Sequence, residues 1–255
     1  GRGARWFFVQ CERWAARRCH AMISVADAMT RLMVEARVAP AEFFTTIYSG
    51  MEVEPLVESA ADRQRVRDEL GFGQQHIVVG KIARLFRLKG HDYVIRAAGE
   101  VAKQNPSVRF LLVGDGVLRD RLKRQIAEAG LTGFFTFFGL AEREQIPGLL
   151  AAMDIVVHAS LREGLARVLP QALIAGKPVV SYDVDGAGEV VIPGQTGYLL
   201  APQSVEPMAE AILELAADEP LRERLGAEGR RRFADQFRHD RMTRQIRRLY
   251  EDLLR

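Results

Sequence analysis

Two cations and one acid carry residue types and spacings suited to a phosphorylated ligand. In the segment GKIARLFRLKGHDYVIRAA, Arg84 and Lys89 follow a short apolar run, and Gly90 leads into a helical pattern. Ligands in an open parallel sheet sit beyond the carboxyl ends of the strands, and two cations there beside a helix start make an anion site. A phosphate or diphosphate is the natural guest, with solvated loop residues as the equal alternative. In SLREGLARVLPQALIAGKPVV, Glu163-Gly164 closes a strand-to-helix loop, and the amides that follow would face an anion while the carboxylate accepts from sugar hydroxyls. Gln171, roughly two helical turns further on, can face the same side. The plainer alternative for Glu163 is a surface ion pair with Arg162 or Arg167, worth under about 1 kcal/mol. In LLVGDG, Gly114 and Gly116 serve a tight turn; the third glycine of a dinucleotide fingerprint is lacking, which excludes a nicotinamide or flavin site.

Four neighbouring features read more plainly. His158 stands at a strand end and is as readily a satisfied loop histidine as a cleft residue. His91 is an N-terminal helix residue, Glu189 a helix-start acid, and Asp183-Val184-Asp185 a polar loop. Neither Cys11 nor Cys19 has a His or Cys partner at metal-ligand spacing, and no metal site is expected.

The elements that must position these residues follow from the hydrophobic pattern. Apolar runs at His76–Ile82, Val108–Val113, Phe134–Phe138, Ile155–His158, Pro178–Tyr182 and Tyr198–Leu200 are rich in Val, Ile and Phe without alternation, as in strands buried on both faces. Helical patterns near Asp92–Gln104, Leu118–Ala129, Arg143–Ala152 and Pro170–Ala175 separate them, so the fold class is α/β, a doubly wound parallel sheet. Three helices follow: Val205–Ala217, Pro220–Gln236 and an amphipathic His239–Leu254. The first 50 residues read as a basic helix Arg5–Cys19, a strand Ala21–Val25, a helix Asp27–Val38 capped by Asp27, and a β-rich run Thr45–Tyr48. Two strands are marginal alone, so this part reads as the end of a preceding domain. Residues 51–75, around a charged helix Asp62–Leu70, read as a connection.

Composition removes several classes. The chain has 255 residues, 36 Lys+Arg against 33 Asp+Glu, a net charge of +3 and 48% hydrophobic residues. No stretch approaches the roughly 18 apolar residues that span a bilayer, and no leader pattern opens the chain. The basic residues alternate with acids along helices, as on solvated faces, which speaks against nucleic acid. Cys11 and Cys19 in one helix would sit about 12 Å apart, too far for a disulfide, consistent with a reducing compartment. The chain begins Gly-Arg-Gly with no methionine, and a fragment of something longer is expected.

Arg84-x4-Lys89-Gly90, Gly114-Asp115-Gly116, Phe138-Gly139, Asp154-Ile155-Val156-Val157 and Glu163-Gly164 through Gly176-Lys177-Pro178-Val179-Val180 occur in an order and spacing that resembles the retaining glycosyltransferases of the GT-B fold. More closely the chain resembles the family 4, or "group 1", glycosyltransferases, over nearly its whole length. The resemblance implies a Rossmann-like C-terminal half of a GT-B fold with a partial N-terminal domain. Residues 1–50 would be the remnant of the N-terminal acceptor domain, 51–75 the linker, 76–236 the donor-binding domain, and 237–255 a helix packing back toward the N-terminal domain.

On this resemblance Arg84 and Lys89 hold the diphosphate of a nucleotide-sugar donor and stabilise the departing nucleoside diphosphate. Glu163 matches the first acid of the family's Glu, seven residues, Glu motif and contacts sugar hydroxyls. The amides of Gly164, Leu165 and Ala166 approach the sugar and phosphates, the Gly114 turn lies near the ligand, and Gly139 and Leu140 line the base. The second acid, which accepts from the ribose, falls at Gln171, a departure that weakens that contact without removing it. The implied donor is a UDP- or GDP-sugar, with no bound cofactor or metal. The implied acceptor is a glycan or lipid-linked molecule held by the N-terminal domain, in bacterial polysaccharide or glycolipid synthesis. The setting would be cytoplasmic, with peripheral contact at the inner face of a membrane. A non-catalytic nucleotide-sugar-binding module and a sugar-nucleotide epimerase are the competing readings.

Overall fold

The computed structural model describes residues 2–255; Gly1 of the expected fragment lies outside the described residues. Two compact units result, one formed by the chain up to Met51 with Asp235–Arg255, the other by Glu52–Ala234. In the first, α1 (Arg2–Ala16), β1 (Met22–Ser24), α2 (Asp27–Glu35) and β2 (Phe44–Thr46) follow one another. β1 and β2 pair in parallel, with Met22 opposite Phe44 and Ser24 opposite Thr46. Ser24 Oγ meets Thr30 Oγ1 of α2 at 2.5 Å, which ties the helix to the pair.

Local details differ from expectation. α1 ends at Ala16, so Cys19 lies beyond it, and both cysteines are free and exposed. Asp27 is the first residue of α2, and extended Ala26 occupies the cap position. α2 also stops at Glu35, because the chain turns through Arg37 in a left-handed conformation (φ 54°).

The second unit contains α3 (Glu54–Glu58), α4 (Arg63–Glu69), β3 (Ile77–Ile82), α5 (His91–Gln104), β4 (Val108–Val113), α6 (Arg119–Glu128), β5 (Phe135–Gly139) and α7 (Ile146–Ala152). It continues with β6 (Ile155–His158), α8 (Val168–Ile174), β7 (Val179–Tyr182), β8 (Gly197–Leu200), α9 (Glu206–Ala217) and α10 (Glu219–Phe233). The six strands form one parallel sheet in the order β5-β4-β3-β6-β7-β8. From β3 the chain winds outward through β4 and β5, then returns to β6 and winds the other way. β3 and β6 are therefore neighbours from which the chain runs on in opposite directions across the sheet, the switch point at whose carboxyl end open α/β sheets take their ligands.

Val79, Phe110, Ile155 and Val157 of the sheet join Val94, Leu122 and Ile212 of α5, α6 and α9 in one buried apolar cluster. α8 and α10 approach so closely that a Cβ on Gly226 would lie 2.0 Å from the Gly176 carbonyl oxygen. Asp154, just ahead of β6, anchors α4 to the sheet. It accepts from Arg63 (2.5 Å), Arg67 (3.2 Å) and the Val78 amide (2.7 Å), while Arg67 also reaches the carbonyls of Gly73 and His76. α11 (His239–Leu253) belongs to the first unit, where Phe237 accepts from the Met51 amide at 2.8 Å and packs on Tyr48.

Candidate functional site

The loops after β3 and β6 meet at the crevice. Gly90 makes this possible: its φ is +67°, and a Cβ there would stand 1.9 Å from the Ala159 carbonyl oxygen. Only glycine adopts that conformation without strain while lying against another backbone. The Leu161 amide donates to Leu88 O at 2.9 Å and stitches the two loops together. In consequence Lys89 Nζ and Glu163 Oε1, 74 residues apart in sequence, form an ion pair. Both side chains are about one-fifth exposed, so the pair borders solvent and is reachable by a ligand.

Arg84 is exposed at the same end of β3, its guanidinium 5.1 Å from the Phe86 ring centroid. The Gly114 turn is fixed against it. Gly114 has φ +131°, a Cβ there would meet Ala83 O at 2.2 Å, and the Asp115 carbonyl accepts from the Leu85 amide at 2.9 Å. The Gly114 amide donates to Gly139 O at 2.7 Å, so Arg84, Gly114 and Gly139 share one edge, with Leu140 beyond it 74% exposed.

Beyond Glu163 the loop is held from β7. The Glu163 amide donates to Asp185 Oδ2 at 2.6 Å, and Gly164 O accepts from the Gly186 amide at 2.8 Å. Asp185, read from sequence as part of a polar loop, thus positions Glu163; an Asp-Gly pair just after a strand is the signal for such a contact. The amides of Gly164, Leu165 and Ala166 donate to no other described residue, leaving three donors for a ligand. α8 begins at Val168, five residues past Glu163, so counting helical turns from Glu163 to Gln171 does not apply. Gln171 is nevertheless the one residue of α8 that is not buried.

Beneath this surface lies a feature that spacing did not reveal. Lys81 on β3, His91 at the start of α5, His158 on β6 and Ser160 are all buried. Their side-chain polar atoms have no hydrogen-bond partner among the described residues, although His158 Nε2 is 4.0 Å from Glu163 Oε1. His158 is thus not the satisfied loop histidine that sequence allowed. Burial lowers the Lys81 ammonium to about 7, reinforced by repulsion from Lys89 and opposed by Glu163. Burial also pushes His91 and His158 well below their usual range. A lysine inside the run IVVGKI was the available signal.

The groove between α4 and α7 contains none of these residues, and Glu58, Asp62, Glu69 and Glu144 outnumber Arg65 along it, a wall that would repel an anion. Among the described residues no group of three His, Cys, Asp or Glu is arranged to hold a metal ion. No described helix is long and apolar enough to cross a membrane.

Fold and site together define an α/β sheet of GT-B type with an anion-ready crevice at its switch point. The sequence pattern of the glycosyl transferases group 1 family matches residues 62–232, and the chain belongs to that family. It is 28% identical over 228 residues to a 2-deoxystreptamine glucosyltransferase of Streptomyces kanamyceticus, covering 89% of this chain and 59% of that one. An alpha-D-kanosaminyltransferase of the same organism is 29% identical over 223 residues, 87% of this chain and 56% of the relative. The crystal structure of Anabaena Alr3699/HepE in complex with UDP-glucose superposes with a TM-score of 0.84 at 28% identity, over 92% of this chain and 64% of that one. The chain therefore spans less than two thirds of these relatives.

Proposed function

We propose that this chain is the donor-binding part of a retaining glycosyltransferase, taking a nucleotide-diphosphate sugar in the crevice between β3 and β6. The Lys89–Glu163 pair at that crevice carries the reading, because it sets a cation for a diphosphate beside a carboxylate for sugar hydroxyls. Arg84 supplies a second cation, and the amides of Gly164, Leu165 and Ala166 donate to the sugar and phosphates. Gly114, Gly139 and Leu140 line the nucleoside, and Gln171 accepts from the ribose as a neutral group.

As the bond to the leaving diphosphate lengthens, negative charge grows on its oxygens and positive charge at the anomeric carbon. Fixed cations and amide dipoles lower that barrier because they need no reorganisation as charge develops. A UDP- or GDP-sugar is the donor: the Anabaena neighbour was solved with UDP-glucose, and a relative 27% identical is named a GDP-mannose-dependent mannosyltransferase of Mycolicibacterium smegmatis. The acceptor is a glycan or lipid-linked hydroxyl presented by a partner domain, on the cytoplasmic side of a membrane.

Calorimetry with UDP, GDP and ADP tests the donor half. Binding should be lost in Arg84→Ala and Lys89→Ala, and undiminished affinity in both would remove the diphosphate assignment.

A further inference from the structure

The buried cluster behind the Lys89–Glu163 pair has no structural explanation. Lys81 is 1% exposed, His91 and His158 2% each, and Ser160 0%, yet none of their polar atoms is hydrogen-bonded among the described residues. An unsatisfied buried polar group is costly, and four clustered together weaken a fold unless they serve something else. They gather where the sheet faces the crevice: Lys81 near the carboxyl end of β3, His158 ending the adjacent β6, His91 opening the helix that Gly90 docks.

The charges acting on Lys81 are few. Lys89, in the loop after β3, repels it and Glu163, in the loop after β6, attracts it. His91 on α5 and His158 on β6 both feel Lys81 and Lys89 and stay neutral near pH 7. β4 presents only Leu112 in register with it. Burial thus holds the ammonium far below an ordinary lysine, at about 7, and Glu163, the acid that attracts it, is already paired with Lys89.

We propose that Lys81 is a positioning residue that becomes a further cation of the donor site, taking up a proton from solvent as a diphosphate docks on Lys89. The inference rests on the donor reading above. The incoming anion brings negative charge into a poorly screened region, and of the buried groups only Lys81 is poised to respond, since the two histidines are too weakly basic. Its charge then adds to the field of Lys89 while the anion is present and is relinquished when the anion leaves. Lys81 touches neither sugar nor phosphate; it acts through Lys89 and Glu163.

UDP-glucose and GDP-mannose serve as probes, because their diphosphates have no proton that titrates near neutrality. Binding is measured by calorimetry at pH 8 in buffers of different ionisation enthalpy. The wild-type chain should take up about 0.9 of a proton at pH 8 and bind about fivefold more weakly than at pH 7. Lys81→Met should abolish the uptake and flatten the pH profile, while His158→Gln should keep both. The wild-type proton count needs no variant to fold. Donor binding without proton uptake, or unchanged uptake in a folded Lys81→Met, overturns the role of Lys81 and leaves the donor reading standing. No binding of either probe overturns the donor reading and this inference with it.

Discussion

Replacing Lys81 with methionine should stabilise the folded chain by an amount that depends on pH. In the folded chain Lys81 holds its proton with a pKa of about 7, against 10.5 for an ordinary lysine, with burial the largest cause. A base weakened by folding leaves the unfolded state binding more protons, so the penalty is full below pH 7 and fades as the pH rises toward 10.5. At about 1.4 kcal/mol for each pH unit, the penalty is roughly 4 kcal/mol at pH 7 and about 1.5 kcal/mol at pH 9.5. Methionine has similar length and no charge, so Lys81→Met should recover most of this and leave little cavity. Urea unfolding at the two pH values, with equal m-values, measures the difference. The stabilisation should shrink between pH 7 and 9.5. A variant less stable than wild type at pH 7, or a gain that does not change with pH, would refute the buried, unpaired environment assigned to Lys81.

Three further substitutions probe the elements that hold the site. Gly90→Ala places a Cβ 1.9 Å from the Ala159 carbonyl oxygen at a φ of +67°. It should cost at least about 2 kcal/mol in urea unfolding and weaken UDP binding as the Lys89 loop shifts; full stability would contradict the docking of the two loops. Asp154→Asn removes the counter-charge of Arg67, which is 3% exposed, and should cost about 3 kcal/mol; a loss under about 1 kcal/mol would show that the carbonyls on Arg67 suffice. Gln171→Glu turns a neutral acceptor into a charged one and should tighten UDP binding about fivefold by calorimetry. No gain would remove position 171 from the ribose contact.

Much of the sheet was legible because its strands carry their own signature. Val108–Val113 and Ile155–His158 are found at the expected bounds, since short runs dominated by Val, Ile, Leu and Phe have few places to go other than a strand buried on both faces. Helix ends were less so. Asp27 resembles a cap but enters the helix, and Arg143–Gln145 forms a 3-10 turn before α7 where a continuous helix was expected. The site divides in the same way. Arg84, Lys89 and Glu163 stand on loops that follow strands, so the order of the sequence places them. The surroundings of Asp185 and Lys81 exist only once β3, β6 and β7 are side by side. Asp185 reaches back 22 residues to the Glu163 amide. Lys81 is one polar residue in the apolar run IVVGKI, and its burial follows only from the elements packed around it.

The central claim is that a nucleoside diphosphate binds where the loops after β3 and β6 converge. Amide hydrogen exchange of the chain with and without saturating UDP tests it most directly. Exchange should slow at Lys89–Gly90 and at Gly164–Ala166, and Lys89→Ala should abolish the protection. Protection confined to the groove between α4 and α7, or protection of the crevice that survives Lys89→Ala, would contradict it.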